Sequence, residues 1–341
     1  MPTCSAEQLE AIGARIFAAA GVTEPVARRV SASLVLSNLM GVDSHGVIRI
    51  PTYLNGIRNG TIDPGARVEI VKDNGVACVM DGHNAFGQIA AAEAMQCAIE
   101  RARLHAVGVV SLHGVQHIGR LAEWTEMAAD AGMFGLVLAN GCTQGGLVAP
   151  YGSRQRLLGT NPISYAAPRA QSPTLAADFA TSAVAEGKVR SARQQHKPIP
   201  PEWLMDSTGR STTNPAALYE GGALRAFGGH KGYALSLMVE ILAGILSGTR
   251  TAPFYQSMQQ GVLMLALDVA YFRPAAEYHE AMDSLCAAVK AAAPAEGFSE
   301  VLLPGEVEAR CKAERERAGI PVPEGVWEQI GRAAAEFGVQ L

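Results

Sequence analysis

The chain reads as an α/β protein. Apolar runs of strand length recur between longer helical patterns from residue 76 onward; Phe134–Ala139, directly after the helical stretch Leu121–Ala131, is one instance. The Ala-rich stretch Gly87–Ala106 is long enough for a helix and lies between two such runs. Strand and helix signals that alternate in this way indicate layered α/β architecture.

The elements follow in order. Ser5-Ala6-Glu7-Gln8 is a capping-box start, and Leu9, Ile12, Ile16 and Phe17 follow at helical spacing. Gly21 ends that helix. Thr23-Glu24-Pro25 opens a second, with Thr as N-cap and Pro in the first turn, running toward Leu39. Residues His45 to Arg58 are expected to continue as helix until Gly60 and Pro64 close it. Val76–Met80 and Gly108–Leu112 are expected as strands. Leu157–Pro162, Ile163–Ala167 and Thr174–Phe179 read as strand segments joined by turns. A long apolar helix is expected from Gly232 to Leu246, and a further strand over Val262–Asp268. After Pro274 the pattern is helical, interrupted at Leu302-Leu303-Pro304-Gly305. An Ala-rich helix over Ala287–Ala295 meets a proline stop, and the last helix carries Trp327, Ile330 and Phe337.

Composition bounds the function. With 341 residues and 48% hydrophobic content the chain can bury a large core, enough for two domains or one with additions. The net charge is −4 with a pI of about 6.1, and no basic block occurs, so nucleic acid is not an expected partner. Cys4, Cys78, Cys97, Cys142, Cys286 and Cys311 are scattered with no C-x-x-C pair, which reads as free thiols in a reducing compartment. The beginning of the chain lacks a basic and then apolar leader pattern, and no apolar run approaches the roughly 18 residues of a membrane span. A cytoplasmic protein is expected.

Several segments are candidates for chemistry. Asp43-Ser44-His45-Gly46-Val47-Ile48-Arg49 places an imidazole and a guanidinium four residues apart, on one face if the stretch is helical. A proton donor beside a planar carboxylate clamp suits a 2-oxo acid accepting hydride. His117-Ile118-Gly119-Arg120 follows a strand, with His113 as a competing histidine. Gly159-Thr160-Asn161-Pro162 is either a ligand-facing loop or a tight connection. Asp178-Phe179-Ala180-Thr181-Ser182 leaves room for a nucleotide at a strand end, or simply caps a helix. Gly229-His230-Lys231-Gly232 puts a lysine at a helix N-terminus, where the dipole favours an anion. No histidine pairs with Cys or Asp at metal-ligand spacing, so no catalytic metal is expected. No G-x-G occurs anywhere, which disfavours an ordinary Rossmann turn; P-loop and G-x-S-x-G patterns are also missing.

Taken in order, Asp43-Ser44-His45-Gly46…Arg49, His117-Ile118-Gly119, Gly159-Thr160-Asn161-Pro162, Asp178…Ala180-Thr181-Ser182 and Gly229-His230-Lys231-Gly232 resemble one family over nearly the whole chain. It is the malate/L-lactate dehydrogenase family of NAD(P)-dependent oxidoreductases, which also holds ureidoglycolate, sulfolactate and diketogulonate dehydrogenases and cyclic ketimine reductases. The resemblance implies a mixed-sheet, non-Rossmann α/β nucleotide-binding domain over residues 71–274. It implies a helical lobe built from both chain ends, residues 1–70 with residues 275–341, and a homodimer. It also implies His45 and His117 as alternative proton donors and Arg49 as the carboxylate partner. Asp178, Ala180, Thr181, Ser182, His230, Lys231, Pro304, Gly305 and Glu306 match cofactor-contacting segments. Two departures are present: Leu112-His113-Gly114-Val115-Gln116 replaces the usual Asn-Ser pattern before His117, and the stretch from Gly248 to Gly261 is shorter than in many relatives.

The expected reaction is hydride transfer from NADH or NADPH to C2 of a small 2-oxo acid, with a histidine protonating the forming alkoxide. Arg49 would hold the carboxylate, and Ser44 or Thr160 would polarise the carbonyl. The alternative keeps the cofactor and reduces a cyclic ketimine of the Δ1-piperideine-2-carboxylate type, which the segment Gly221–Gly232 also resembles. A non-catalytic nucleotide-binding protein is the third reading. The cation for an NADP 2′-phosphate is open between Arg120, Arg154 and Arg190.

Overall fold

The computed structural model describes residues 2–141, 145–171, 173–255 and 259–341, so Cys142 lies outside the described residues. Helix α1 (Ala6–Ala19) starts as its sequence requires. The Gln8 amide N–H donates to Ser5 Oγ at 3.2 Å and the Ser5 N–H donates to Gln8 Oε1 at 2.9 Å, a reciprocal cap. Helix α2 (Glu24–Leu39) carries Pro25 in its first turn, while the Thr23 side chain makes no cap bond.

The expected single helix from His45 to Arg58 is not formed. Two short 3₁₀ turns, Asp43–His45 and Val47–Arg49, meet at an extended Gly46 before α3 (Ile50–Arg58) begins. Asn38 is the cause. Its Oδ1 accepts the Val47 N–H at 2.8 Å and its Nδ2 donates to Asp43 Oδ1 at 2.6 Å, so side-chain bonds replace helical ones. A Cβ on Gly46 would lie 2.2 Å from Asn38 Oδ1, so only glycine admits this approach.

Seven strands form the main sheet: β1 (Glu69–Asp73), β2 (Ala77–Asp81), β3 (Val107–Val115), β4 (Met133–Ala139), β5 (Ile163–Ala167), β6 (Leu175–Phe179) and β7 (Gln260–Asp268). Their spatial order is β1-β2-β3-β7-β4-β5-β6. Only β2 and β3 run parallel; every other neighbouring pair is antiparallel, so the sheet is mixed. One face carries α4 (Gly87–His105) and α5 (Ala122–Asp130), with Val110, Leu112, Val137, Met264, Ala94, Ile99 and Trp124 fully buried between them. Strand β1 is exposed along its length and has no apolar alternation, which is why its sequence gives no strand signal.

The opposite face packs on a helix that changes type. Between β6 and β7 come α6 (Glu186–Gln194) and α7 (His230–Val239), and α7 passes directly into a π-helical turn over Glu240–Ile245. Val239 and Ala243 from this segment pack on Leu138, Ile163 and Leu263 of the sheet. Glu240 is buried, and its carboxylate accepts the Tyr255 hydroxyl, Asn161 Nδ2 (2.8 Å) and Asn140 Nδ2 (3.2 Å). The far side of the same segment leaves Leu237, Met238, Ile241, Ile245 and Leu246 exposed.

The strand expected over Leu157–Pro162 is irregular, with Leu158 alone bridging to Val148. Its polar groups bond elsewhere: the Gly159 N–H goes to Tyr255 Oη at 3.0 Å, Asn161 sits at φ 39°, and Pro162 has no N–H to give.

The chain ends meet. Helices α8 (Val269–Phe272), α9 (Ala275–Lys290), α10 (Glu306–Ala318) and α11 (Glu324–Glu336) complete the protein. Thr3–Cys4 pairs antiparallel with Ile320–Pro321, and Phe17, Leu34, Tyr53, Phe86, Ile320, Ile330 and Ala334 share one apolar core. A helical lobe is thus built from both ends of the sequence. Helix α9 adds nothing to that core; its Asp283 faces Arg169, 3.6 Å away, at the end of β5. Among the described residues no helix is long and apolar enough to cross a membrane.

Candidate active site

The broken helix after α2 projects Ser44, His45 and Arg49 into a cavity of about 380 Å³. His117 enters the same cavity from the loop after β3, and Thr160 from the loop before β5. His45 and Arg49 therefore converge without the helical face that their spacing suggested. Arg49 is aimed by a hydrogen bond from its Nε to the Ser44 carbonyl at 2.7 Å. That bond leaves both terminal nitrogens of the guanidinium available for a planar anion.

The two imidazoles stack, with ring centroids 5.1 Å apart and planes 30° from parallel. His45 Nδ1 lies 2.9 Å from Ser44 Oγ, and His117 Nδ1 lies 2.9 Å from Tyr53 Oη. Each ring therefore keeps Nε2 for a ligand. Tyr53 is buried on α3 and in turn accepts from Gln88 Nε2 at 2.6 Å. Burial pushes the Tyr53 hydroxyl up to about 12, so it stays protonated. Burial in the cleft, together with the Arg49 and Arg120 cations, pulls His45 down to about 3. His117 is lowered for the same reason, first by burial and then by Arg49 and His45.

The other histidine candidate is elsewhere. His113 stands 3.8 Å from Asp81 on the wall of a separate cleft shared with His83 and Arg250, so it does not compete with His117.

A strip of chain along β6, exposed at Asp178 and Phe179, links Thr160 of the cavity to the C-terminal segment. The Thr160 carbonyl accepts both the N–H and the hydroxyl of Thr181, at 2.8 and 3.0 Å. Five residues back along edge strand β6, the Ala176 N–H donates to Pro304 O at 3.3 Å. Asp178 and Phe179 are open between them. Asp178 Oδ2 accepts the Ala122 N–H at 2.9 Å, and Phe179 meets Phe227 edge to face. Gly305 at φ 93° lets the loop close on β6, since a Cβ there would lie 3.1 Å from the Thr174 carbonyl. The Phe227 N–H donates to Thr181 O, and Gly228 and Gly229, both at positive φ, turn the chain to bring His230 and Lys231 to the start of α7. Both of these side chains are exposed.

Other expected contacts sit differently. Thr181 and Ser182 have buried side chains bonded within the chain, so they build the wall of the strip. The Glu306 carboxylate is turned onto the Leu303 N–H (3.0 Å) and Lys290 (2.8 Å). Arg120 is buried and held by Glu126 at 2.5 Å, Arg154 borders a second, larger cleft beside Tyr151, and Arg190 borders the histidine cavity.

This geometry accords with what the chain resembles. Residues 4–331 match the family model described as malate/L-lactate dehydrogenase. The chain belongs to the malate/L-lactate dehydrogenase family. Hydroxycarboxylate dehydrogenase B of Escherichia coli is 37% identical over 344 residues, 98% of this chain and 94% of that protein. The solved structure of a putative malate/lactate dehydrogenase from E. coli superposes with a TM-score of 0.94 at 35% identity, covering 100% of this chain and 96% of that one. The Δ1-piperideine-2-carboxylate reductase from Pseudomonas syringae gives a TM-score of 0.84 at 32% identity, covering 98% and 100%. This member of the malate/L-lactate dehydrogenase family is accordingly an oxidoreductase, and its family acts on 2-hydroxy acids.

Sequence reasoning missed Tyr53 and Gln88, and also Arg156, Glu186, Tyr219 and Gln260, which line the cavity. Tyr53 was within reach of it, because it follows Arg49 by four residues. Gln88 carries no such signal, since only the packing of α4 against α3 brings it to Tyr53.

Proposed function

We propose that this protein interconverts a small 2-oxo acid and the matching 2-hydroxy acid, with NADH or NADPH as the hydride carrier. The observation that carries this reading is the convergence of two stacked neutral imidazoles and the open fork of Arg49 on one cavity. The bound nicotinamide supplies the hydride. Pro304, Gly305, Asp178, Ala180, His230 and Lys231 would hold the cofactor along the strip, with Thr181 and Ser182 as its wall. Asp178 would offer its carboxylate to a ribose hydroxyl, and Lys231 at the α7 start supplies positive charge for phosphate.

In the cavity Arg49 pairs with the substrate carboxylate and fixes C2. Neutral His45 or His117 takes the hydroxyl proton as hydride leaves C2 of the hydroxy acid; in the reducing direction the ring first takes up a proton together with the substrate anion and then gives it to the forming alkoxide. Ser44 and Thr160 offer hydroxyls to the carbonyl oxygen. His45→Ala and His117→Ala should each lower turnover by about 100- to 10,000-fold while cofactor affinity, read by fluorescence titration, stays within a factor of two or so. The reading fails if both variants transfer hydride at the wild-type rate.

The likeness to the piperideine carboxylate reductase supports a second reading, reduction of a cyclic C=N beside a carboxylate. The same Arg49 clamp would serve it, but no proton is needed at the carbon that receives hydride. Parallel assays of pyruvate, oxaloacetate and a cyclic ketimine with each cofactor separate the two. The exposed apolar row Leu237, Met238, Ile241, Ile245 and Leu246 supports a homodimer. Free thiols at Cys4, Cys78, Cys97, Cys286 and Cys311 support residence in the reducing cytoplasm.

A further inference from the structure

Cys78 on β2 and Cys97 on α4 face each other across the seam between sheet and helix, with their sulfurs 3.5 Å apart. They lie 19 residues apart in sequence, and both side chains are buried. The sulfurs are already in contact, and closing them to the roughly 2.0 Å of a disulfide needs a movement of about 1.5 Å. Neither thiol borders the histidine cavity.

The surroundings favour a thiolate. Arg101 follows Cys97 by one helical turn, and its charge acts on both sulfurs. Its Nη2 pairs with Asp73 at 2.6 Å, whereas its Nε is buried without an oxygen acceptor among the described residues. The hydrogen bond from Cys97, with Arg101 beside it, holds the Cys78 thiol below its ordinary range in spite of burial, and the Cys97 thiol is raised as the donor. Solvent is close by. Asp73, in register with Cys78, lies on the exposed edge strand β1, and an ion pair this open is weak.

We propose that Cys78 and Cys97 are a modification site for hydrogen peroxide, closing reversibly into a disulfide that staples the edge hairpin β1–β2 to α4. The Cys78 thiolate attacks one peroxide oxygen, the O–O bond breaks, and hydroxide leaves to take up the proton that Cys78 released. The resulting sulfenic acid is attacked at sulfur by Cys97. The S–O bond breaks, and the hydroxyl departs with the Cys97 proton as water. Two thiols lose two hydrogens and two electrons, and one peroxide becomes two waters. In a reducing compartment the pair rests as the dithiol, and small thiols reopen the bond.

Trypsin cuts after Lys72 and after Arg101 with no site between, so both thiols fall on one peptide. The full chain is treated with hydrogen peroxide, alkylated, digested and weighed. In the wild type this peptide should be lighter by two hydrogens and resist alkylation, and dithiothreitol should restore two alkylated thiols. The bond should close before Cys311, the more exposed thiol, is oxidised. Cys97→Ser should stop Cys78 at the sulfenic acid, which dimedone captures, and Cys78→Ser should leave Cys97 a thiol under the same treatment. A peptide that keeps both thiols while Cys311 is oxidised overturns the proposal. So does a disulfide from either cysteine to a third, or a Cys78 that advances to sulfinic acid with the bond unclosed. The wild-type measurement decides alone if a serine variant does not fold.

Discussion

The imidazole of His45 lies against that of His117, with centroids 5.1 Å apart, and each ring is tied through Nδ1 to a hydroxyl 2.9 Å away, Ser44 in one case and Tyr53 in the other. Groups in such contact act together, so their losses do not add. The double variant His45→Ala/His117→Ala is expected to transfer hydride no more than a few-fold slower than the slower single variant. Single-turnover stopped-flow absorbance of the reduced nicotinamide measures it. Fully multiplicative losses would mean that the two rings work independently.

The lowered proton affinity of both rings sets a pH dependence. Oxidation of a hydroxy acid needs a neutral imidazole as base, and His45 remains neutral down to about pH 3 in the free protein. Its kcat/KM should therefore stay level from pH 7 to 5, where a histidine at the ordinary 6.5 would lose about tenfold per unit. Stability follows the same sign. The unfolded chain takes up these protons near pH 6.5, whereas the folded site resists them, so stability is fully present above 6.5 and is lost as pH falls toward 3. Urea denaturation at pH 7 and pH 5 should show a smaller loss for His45→Asn than for the wild type.

Tyr53→Phe removes the hydroxyl that joins Gln88 to His117 and leaves the buried Gln88 amide without that acceptor. The expected cost is about 1–3 kcal/mol of stability. The His117 ring also loses its tether, so kcat should fall and its pH profile should shift, whereas a purely structural role would leave the profile unmoved. Denaturant titration and a pH series on the same preparation check both parts.

Gly46→Ala introduces no backbone strain, since φ is −87° at this position. The new methyl would instead collide with the Asn38 amide, which holds Val47 and Asp43. Overpacking of this kind costs about 1–3 kcal/mol. Because the same turn carries Ser44, His45 and Arg49, activity should fall further than the lost stability explains. A folded variant with wild-type kcat/KM would show that the turn does not set the site.

The sequence by itself determined the local signals. The Ser5–Gln8 cap, the start of α2 with Pro25 in its first turn, the apolar strands β3, β4 and β7, and the motif residues His45, Arg49 and His117 are all local in pattern or composition. The missing G-x-G likewise pointed away from a Rossmann turn, and the antiparallel β7 at the centre of the sheet accords with it. Tertiary structure decided the remainder. Asn38, pinned to Asp43 beneath Arg315 of α10 (2.6 Å from Asp43 to Arg315), broke a helix that local propensity favoured. Glu240 drew Asn140, Asn161 and Tyr255 onto one carboxylate, bending the expected strand before Ile163 into a loop and accompanying the change of α7 into a π turn. Arg156 and Gln88 became cavity and relay neighbours through contacts distant in sequence. The physical reason is range. Periodicity and capping act over a few residues, whereas a buried polar group takes whichever partner the packed fold brings within hydrogen-bonding distance, from any part of the chain.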